Sequence, residues 1–200
     1  MEMVMFKKPL LLVLLVLTAA CTAKPTPAPT PLTDQVYIEE QAVYAYLLPE
    51  MYQNRGYVIM ATTATGPTGV ENTDQTLDYV LQNMHDVNPK TLDSFKSRND
   101  TAHPIRPDMD LGSSYTLLTQ AEKNQIFGQN QSGWEIFYNH HPHAPGITSL
   151  SRVGFNDTLD QALVYIGTQS NWLAGAGYYI LLKKGVEGWS IDQQVMVWVS

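Results

Sequence analysis

In the last third of the chain, two stretches carry apolar side chains at both alternating positions: Tyr178 to Leu182, and Val195 to Val199. Successive side chains of a strand point to opposite faces of a sheet, so a strand that is apolar on both must be covered on both. An open sheet with one wet face is thereby excluded. Four strands are expected here: Ile147 to Phe155, Gln161 to Gly167, Gly177 to Lys184, and Trp189 to Val199. Gly185 to Gly188 supplies a hairpin turn between the last two. Sequential strands with tight turns predict an antiparallel sheet. Helices can cover one side of it, leaving the other to a pocket, more chain or a partner subunit.

The helical cover is expected upstream. Thr33 or Asp34 is placed to cap a helix that runs to Leu48, with Val36, Val43, Tyr44 and Leu47 near one face and Pro49 to stop it. Tyr57 to Thr62 reads as a strand, and Gly66, Pro67 and Gly69 as a loop. From Thr73 onward, Leu77, Val80, Leu81 and Met84 recur at helical spacing and define a stripe. Asn88 and Pro89 are a cap and first-turn pair for a short helix through Leu92 and Phe95. Residues 99 to 112 have no period and read as loop. Tyr115 to Leu118 reads as a brief strand. Thr119 and Glu122 then form a capping box, and Trp134, Phe137, Tyr138 and His141 make a second stripe closed by Pro142 and Pro145.

The N-terminus has a different logic. Lys7 and Lys8 precede an uncharged stretch from Pro9 to Ala20 that ends in Leu17, Thr18, Ala19, Ala20 and Cys21. A positive start, a short apolar run and small residues before a cut are the requirements of a signal peptide, expected here over residues 1–20. The run is too short for a membrane-spanning anchor, which takes about 20 apolar residues. Its alternative is a plain secretory signal with a Cys near the cut. Beyond Cys21, prolines at 25, 27, 29 and 31 forbid helix and sheet ladder alike. Residues 21–31 are therefore expected to be a semi-rigid tether, about 3.1 Å per residue in polyproline II form, leading to a single domain over 32–200.

The segment Leu17 to Cys21 resembles the lipobox of bacterial lipoproteins, whose Cys receives a diacylglycerol and becomes the first residue of the mature chain. The resemblance implies Cys21 as the site of lipid attachment. It also implies several acyl chains of the palmitate kind, a durable anchor where one chain would hold only marginally. The localisation it implies is a cell membrane or outer membrane, facing away from the cytoplasm. Cys21 is the sole cysteine, so no internal disulfide framework exists and no thiol remains once it is acylated.

Charge narrows the partners. Twelve Lys and Arg stand against 19 Asp and Glu, a net charge of −7. Removing residues 1–20 takes away Glu2, Lys7 and Lys8, a net +1, and leaves −8. Counterion release then works against nucleic-acid binding, so the expected partners are the membrane, through the anchor, and a small ligand or an envelope protein.

No strong catalytic signature is present. His140, His141 and His143 are candidate metal ligands, but successive helical positions point about 100° apart and Pro142 breaks the next turn. The other reading is a polar helix C-terminus, where His also favours the dipole. Ser149 and Ser151 lack the Gly-flanked elbow of a nucleophile, and the pairs Asp108/Asp110, Asp157/Asp160 and Glu39/Glu40 read as solvated. Neither a phosphate loop nor a dinucleotide fingerprint occurs, so no cofactor is expected. Gly175 and Gly177 suggest a bend or bulge. Arg152, in a run of small and apolar residues, must snorkel to water or find an acidic partner such as Asp157 or Asp160; the functional reading is an anion grip at a pocket mouth.

Residues from Gly146 through 151–156 (Ser-Arg-Val-Gly-Phe-Asn), 161–166 and 174–179 to Ser200 resemble a group of uncharacterised bacterial exported proteins. That resemblance implies a stand-alone domain and supplies no catalytic residues. The expectation is an α+β domain, with N-terminal helices packed on a C-terminal antiparallel sheet of about four strands. It could resemble the nuclear-transport-factor-like cone, with Tyr165, Tyr178, Trp189 and Trp198 lining a ligand hollow. A binding or envelope-structural role follows. The alternative is an extracytoplasmic hydrolase or metal-dependent enzyme using His and Asp residues.

Overall fold

The computed structural model describes residues 32–53, 56–66, 74–128 and 132–200. The signal, Cys21, the tether, Pro67, Gly69 and Thr73 lie outside them. In chain order the elements are α1 (Leu32–Tyr52), β1 (Tyr57–Met60), α2 (Asp74–Asn83), α3 (Pro89–Arg98), β2 (Tyr115–Leu118), α4 (Gln120–Phe127), α5 (Gly133–His140), β3 (Ile147–Leu150), β4 (Gly154–Phe155), β5 (Gln161–Asn171), β6 (Ala174–Gly185) and β7 (Gly188–Val199). The fold is α+β. Its sheet has seven strands where about four were expected, in the order β2-β1-β3-β5-β6-β7 with β4 also paired to β5. β1 joins β2 and β3 in parallel, and every other pairing is antiparallel. The helices are correspondingly interleaved with strands, because β1 and β2 enter the sheet from within the helical half.

The doubly apolar strands are covered on both faces by this chain's own helices. On one face α1 packs Val43, Tyr44, Leu47 and Leu48 against Ile59, Leu150, Val164, Ile166, Ile180 and Leu182. Each of these apolar side chains, once buried, contributes about 1.5–3 kcal/mol. On the other face, Leu77, Val80 and Met84 of the α2 stripe join Phe95 of α3 over Leu163, Tyr165, Tyr179 and Leu181. Farther along that face, Trp134 and Phe137 of α5 cover Val58, Met60, Leu118 and Ile147.

Several local signals fold as their chemistry dictates. The Asn88 side chain accepts from the Lys90 N–H to cap α3, and Thr119 and Glu122 bond reciprocally to open α4. Other expectations need correction. α1 begins at Leu32, so Thr33 and Asp34 lie inside it, and it runs through Pro49 to Tyr52. The helix survives because Gln53 N–H closes on the Pro49 carbonyl and Met51 and Tyr52 pack against the core.

The stretch from Ile147 to Phe155 is two strands rather than one. Ser151 N–H still donates to the Tyr165 carbonyl of β5, but at residues 152 and 153 other partners take over the ladder's bonds. Ser151 Oγ accepts from Tyr165 N–H, Arg152 N–H donates to Asn99 Oδ1, and Val153 N–H donates to Glu40 Oε1. β4 then resumes at Gly154, where a Cβ would lie 2.4 Å from the Phe95 backbone nitrogen, so α3 sits directly on the strand.

Candidate functional site

Between the α2–α3 cover and the α4–α5 cover the sheet is left open. The gap is a cleft of roughly 430 Å³, within the range of small-ligand sites. Its floor comes from Met60, Ile147, Ser149, Tyr165, Gly167 and Gln169 on β1, β3 and β5. Gln120 and Lys123 of α4, Thr62 to Ala64 after β1, and Trp172 and Trp198 form its walls.

Trp198 is set by an absence of side chains. From β7 its indole crosses β6 over Gly175 and Gly177 and reaches Gly167 of β5. A Cβ on Gly177 would stand 1.9 Å from the indole Nε1. The Nε1–H instead donates to Tyr165 Oη at 2.8 Å. The pairing of β6 with β7 also shifts register between Gly177 and Tyr178, so the expected irregularity is present beside the glycine trough. Trp172, in the β5–β6 turn, is 49% exposed and meets Phe127 edge-on at 5.8 Å.

The polar residues of the cleft divide by commitment. Thr63 Oγ1 accepts from His103 N–H, and Gln120 Nε2 donates to Asn124. Among the described residues, the side chains of Ser149, Gln169 and Lys123 have no hydrogen-bond or ion-pair partner, and all three are half-buried. Lys123 is the single charged side chain among the described lining residues. Burial pushes its ammonium below the ordinary lysine range.

Arg152 sits elsewhere. Its partner is Glu40, not Asp157 or Asp160: Arg152 Nε and Nη2 donate to the two carboxylate oxygens at 2.8 Å each. Arg98 Nη2 and Val153 N–H also donate to Glu40, and Tyr44 Oη lies 3.4 Å from it while donating to the Ser151 carbonyl. Glu40 is therefore not solvated, being only 1% exposed. Burial opposes its ionisation, but the Arg152 hydrogen bond and the two guanidinium charges outweigh it and hold the carboxyl below the ordinary glutamate range. The hollow beside this cluster is about 80 Å³, too small for most organic ligands. Here Arg152 ties α1 and α3 to the β3–β4 connection.

The aromatic quartet is divided. Tyr165 and Trp198 meet at the cleft, whereas Tyr178 and Trp189 pack on the α1 face. Trp189 Nε1–H donates there to Glu39, which Lys184 also contacts. The histidines end α5: His140 Nδ1 lies 2.9 Å from the Ile136 carbonyl oxygen, and His141 and His143 line a separate hollow of about 200 Å³ with Ser114 and Tyr115. Burial and the neighbouring His140 lower the His141 pKa. Among the described residues, no group of three or more His, Cys, Asp or Glu is placed to hold a metal. Ser151 is buried in the strand break, and Ser149 alone of the two serines opens on the cleft.

Trp172, Lys123, Gln120 and Gln169 carry no motif. An indole in a turn, between Asn171 and Leu173, is the one feature among them that stands out in the chain. No family model, curated protein or solved structure matches the chain.

Proposed function

We propose that the protein is a lipid-anchored lipoprotein of the bacterial cell envelope, held by acylated Cys21 and facing outward. Its domain captures a small organic ligand in the cleft between α4 and the β7 end of the sheet. The observation that carries the binding role is the convergence on one cleft of three uncommitted polar side chains, Ser149, Gln169 and Lys123, with two half-exposed indoles. All three are half-buried, so a ligand that displaces their water has to complete their bonds itself, and one that does so is favoured over one that does not. Neither a histidine nor an Asp or Glu side chain is among the described lining residues; the titratable side chains there are Lys123 and Tyr165.

Among the described residues no helix is long and apolar enough to cross a membrane. Attachment in this reading depends on the lipid and the proline tether.

The test is a thermal-unfolding series on detergent-extracted full-length protein, with and without the small-molecule fraction of the producing cells' envelope. A ligand at one hundred times its Kd stabilises by about 2.7 kcal/mol. The reading expects a rise in Tm in wild type that Trp172→Ala removes. An unchanged Tm, or a rise that Trp172→Ala retains, contradicts it.

A further inference from the structure

The character of the cleft narrows the chemistry of its occupant, and the inference rests on the binding role proposed above. Trp172 and Trp198 offer indole surface, against which a ring with an apolar face can stack. An apolar ring alone would leave Ser149 and Gln169 desolvated and unpaired, at a cost for each. A hydroxyl and a primary amide both donate and accept, which suits a ligand that is itself rich in hydroxyls. Ser149 and Gln169 stand on the adjacent strands β3 and β5, where Ser149 pairs with Gly167 and Ile147 with Gln169, so both rise from neighbouring rows of one sheet face. A hydroxylated ring with one apolar face is a sugar.

Lys123 adds a sign. It stands one helical turn from Gln120 on α4, and no Asp or Glu among the described residues lines the cleft with it; Ser200, which also lines it, pairs through its backbone with Gly175. A compact ammonium facing a partly desolvated cleft favours an anion on the ligand. We propose that the cleft binds an anionic sugar, its ring seated on the indoles of Trp172 and Trp198, its hydroxyls on Ser149 and Gln169, and its acid group on Lys123.

Calorimetric titration of the detergent-extracted full chain with glucuronate, glucose 6-phosphate, glucose and indole-3-acetate tests this. The expected result is that glucuronate or glucose 6-phosphate binds at least about tenfold more tightly than glucose. Comparing the two acids tells a carboxylate from a phosphate preference. Lys123→Gln, a half-buried position where folding is not at risk, should abolish the preference, weakening the acids by at least about tenfold more than glucose. Added salt should weaken the acids more than glucose. Equal affinity for acid and neutral sugar, or a preference that survives Lys123→Gln, overturns the proposal. Indole-3-acetate separates the two levels of the argument. Should it alone bind, and depend on Trp172, the sugar assignment falls and the cleft remains a binding site. Should none of the four bind at millimolar concentration, both fall.

Discussion

Glu40 is the residue on which the join between α1, α3 and the β3–β4 connection depends, since one carboxylate receives bonds from Arg98, Arg152 and the Val153 N–H. Removing it strands two guanidiniums in a site built around a negative charge. Glu40→Ala is expected to cost about 3–5 kcal/mol in denaturant unfolding. Asp108→Asn, which breaks a solvent-exposed pair with Arg106, should leave the denaturation midpoint nearly unchanged. The pH dependence has a definite sign. Glu40 has its folded pKa depressed below the ordinary 4.5, so its stabilisation is complete above that value and is lost as pH falls through the lower, folded one. Unfolding free energy should therefore decline more steeply below about pH 4.5 in wild type than in Glu40→Gln, the difference isolating Glu40 from exposed carboxylates shifted the same way. That Arg152 needs either water or an acidic partner was legible in the chain. The partner itself was not, because Glu40 lies 112 residues away, and only the turn of the backbone at Ser151 brings the two together.

At the scale of elements, the glycines of β5 and β6 and the tryptophan of β7 act as one device. Gly177→Ala puts a methyl where the indole edge now lies, so the ring must leave its trough. The expected outcome is destabilisation of about 1–3 kcal/mol together with loss of ligand binding. Chemical denaturation followed by tryptophan fluorescence reads both the stability and the changed indole environment. An unchanged emission spectrum would mean that the trough does not set the ring. The elements themselves were readable where a period or a cap marks them, α2 by its stripe and α3 and α4 by their caps, and in β2, whose bounds match the expectation. Strand breaks were not. Residues 151–153 look like strand because their side chains alternate acceptably, and the bonds that withdraw Arg152 and Val153 from the ladder go to Asn99 and Glu40, which no local window contains. Gly175 and Gly177 showed that something irregular occurs there, without showing that an indole lies across them.

At the scale of the whole molecule, covering both faces of a seven-stranded sheet takes helices from either side, and the two groups on one face do not meet. The doubly apolar strands predicted that both faces are covered, but left the second cover open between a pocket, more chain and a partner subunit. They could not predict the gap, which depends on where α4 and α5 enter between β2 and β3. In the proposed setting the acidic domain stands off a membrane on a proline tether. Cys21→Ala should move the protein from the membrane fraction to the soluble one, and unchanged partition would remove the anchor from the account. The claim that the cleft is a binding site has a built-in control, for the chain's four tryptophans divide evenly: Trp172 and Trp198 line the cleft, while Trp134 and Trp189 are buried elsewhere at 7% exposure each. The decisive measurement is the nitrogen-15 indole NMR spectrum of the full-length protein in detergent, titrated with the small-molecule fraction of its own cells' envelope. The account predicts that the Trp172 and Trp198 resonances shift in a saturable way while those of Trp134 and Trp189 stay in place. A pair that does not move, or four resonances that move alike, would contradict it.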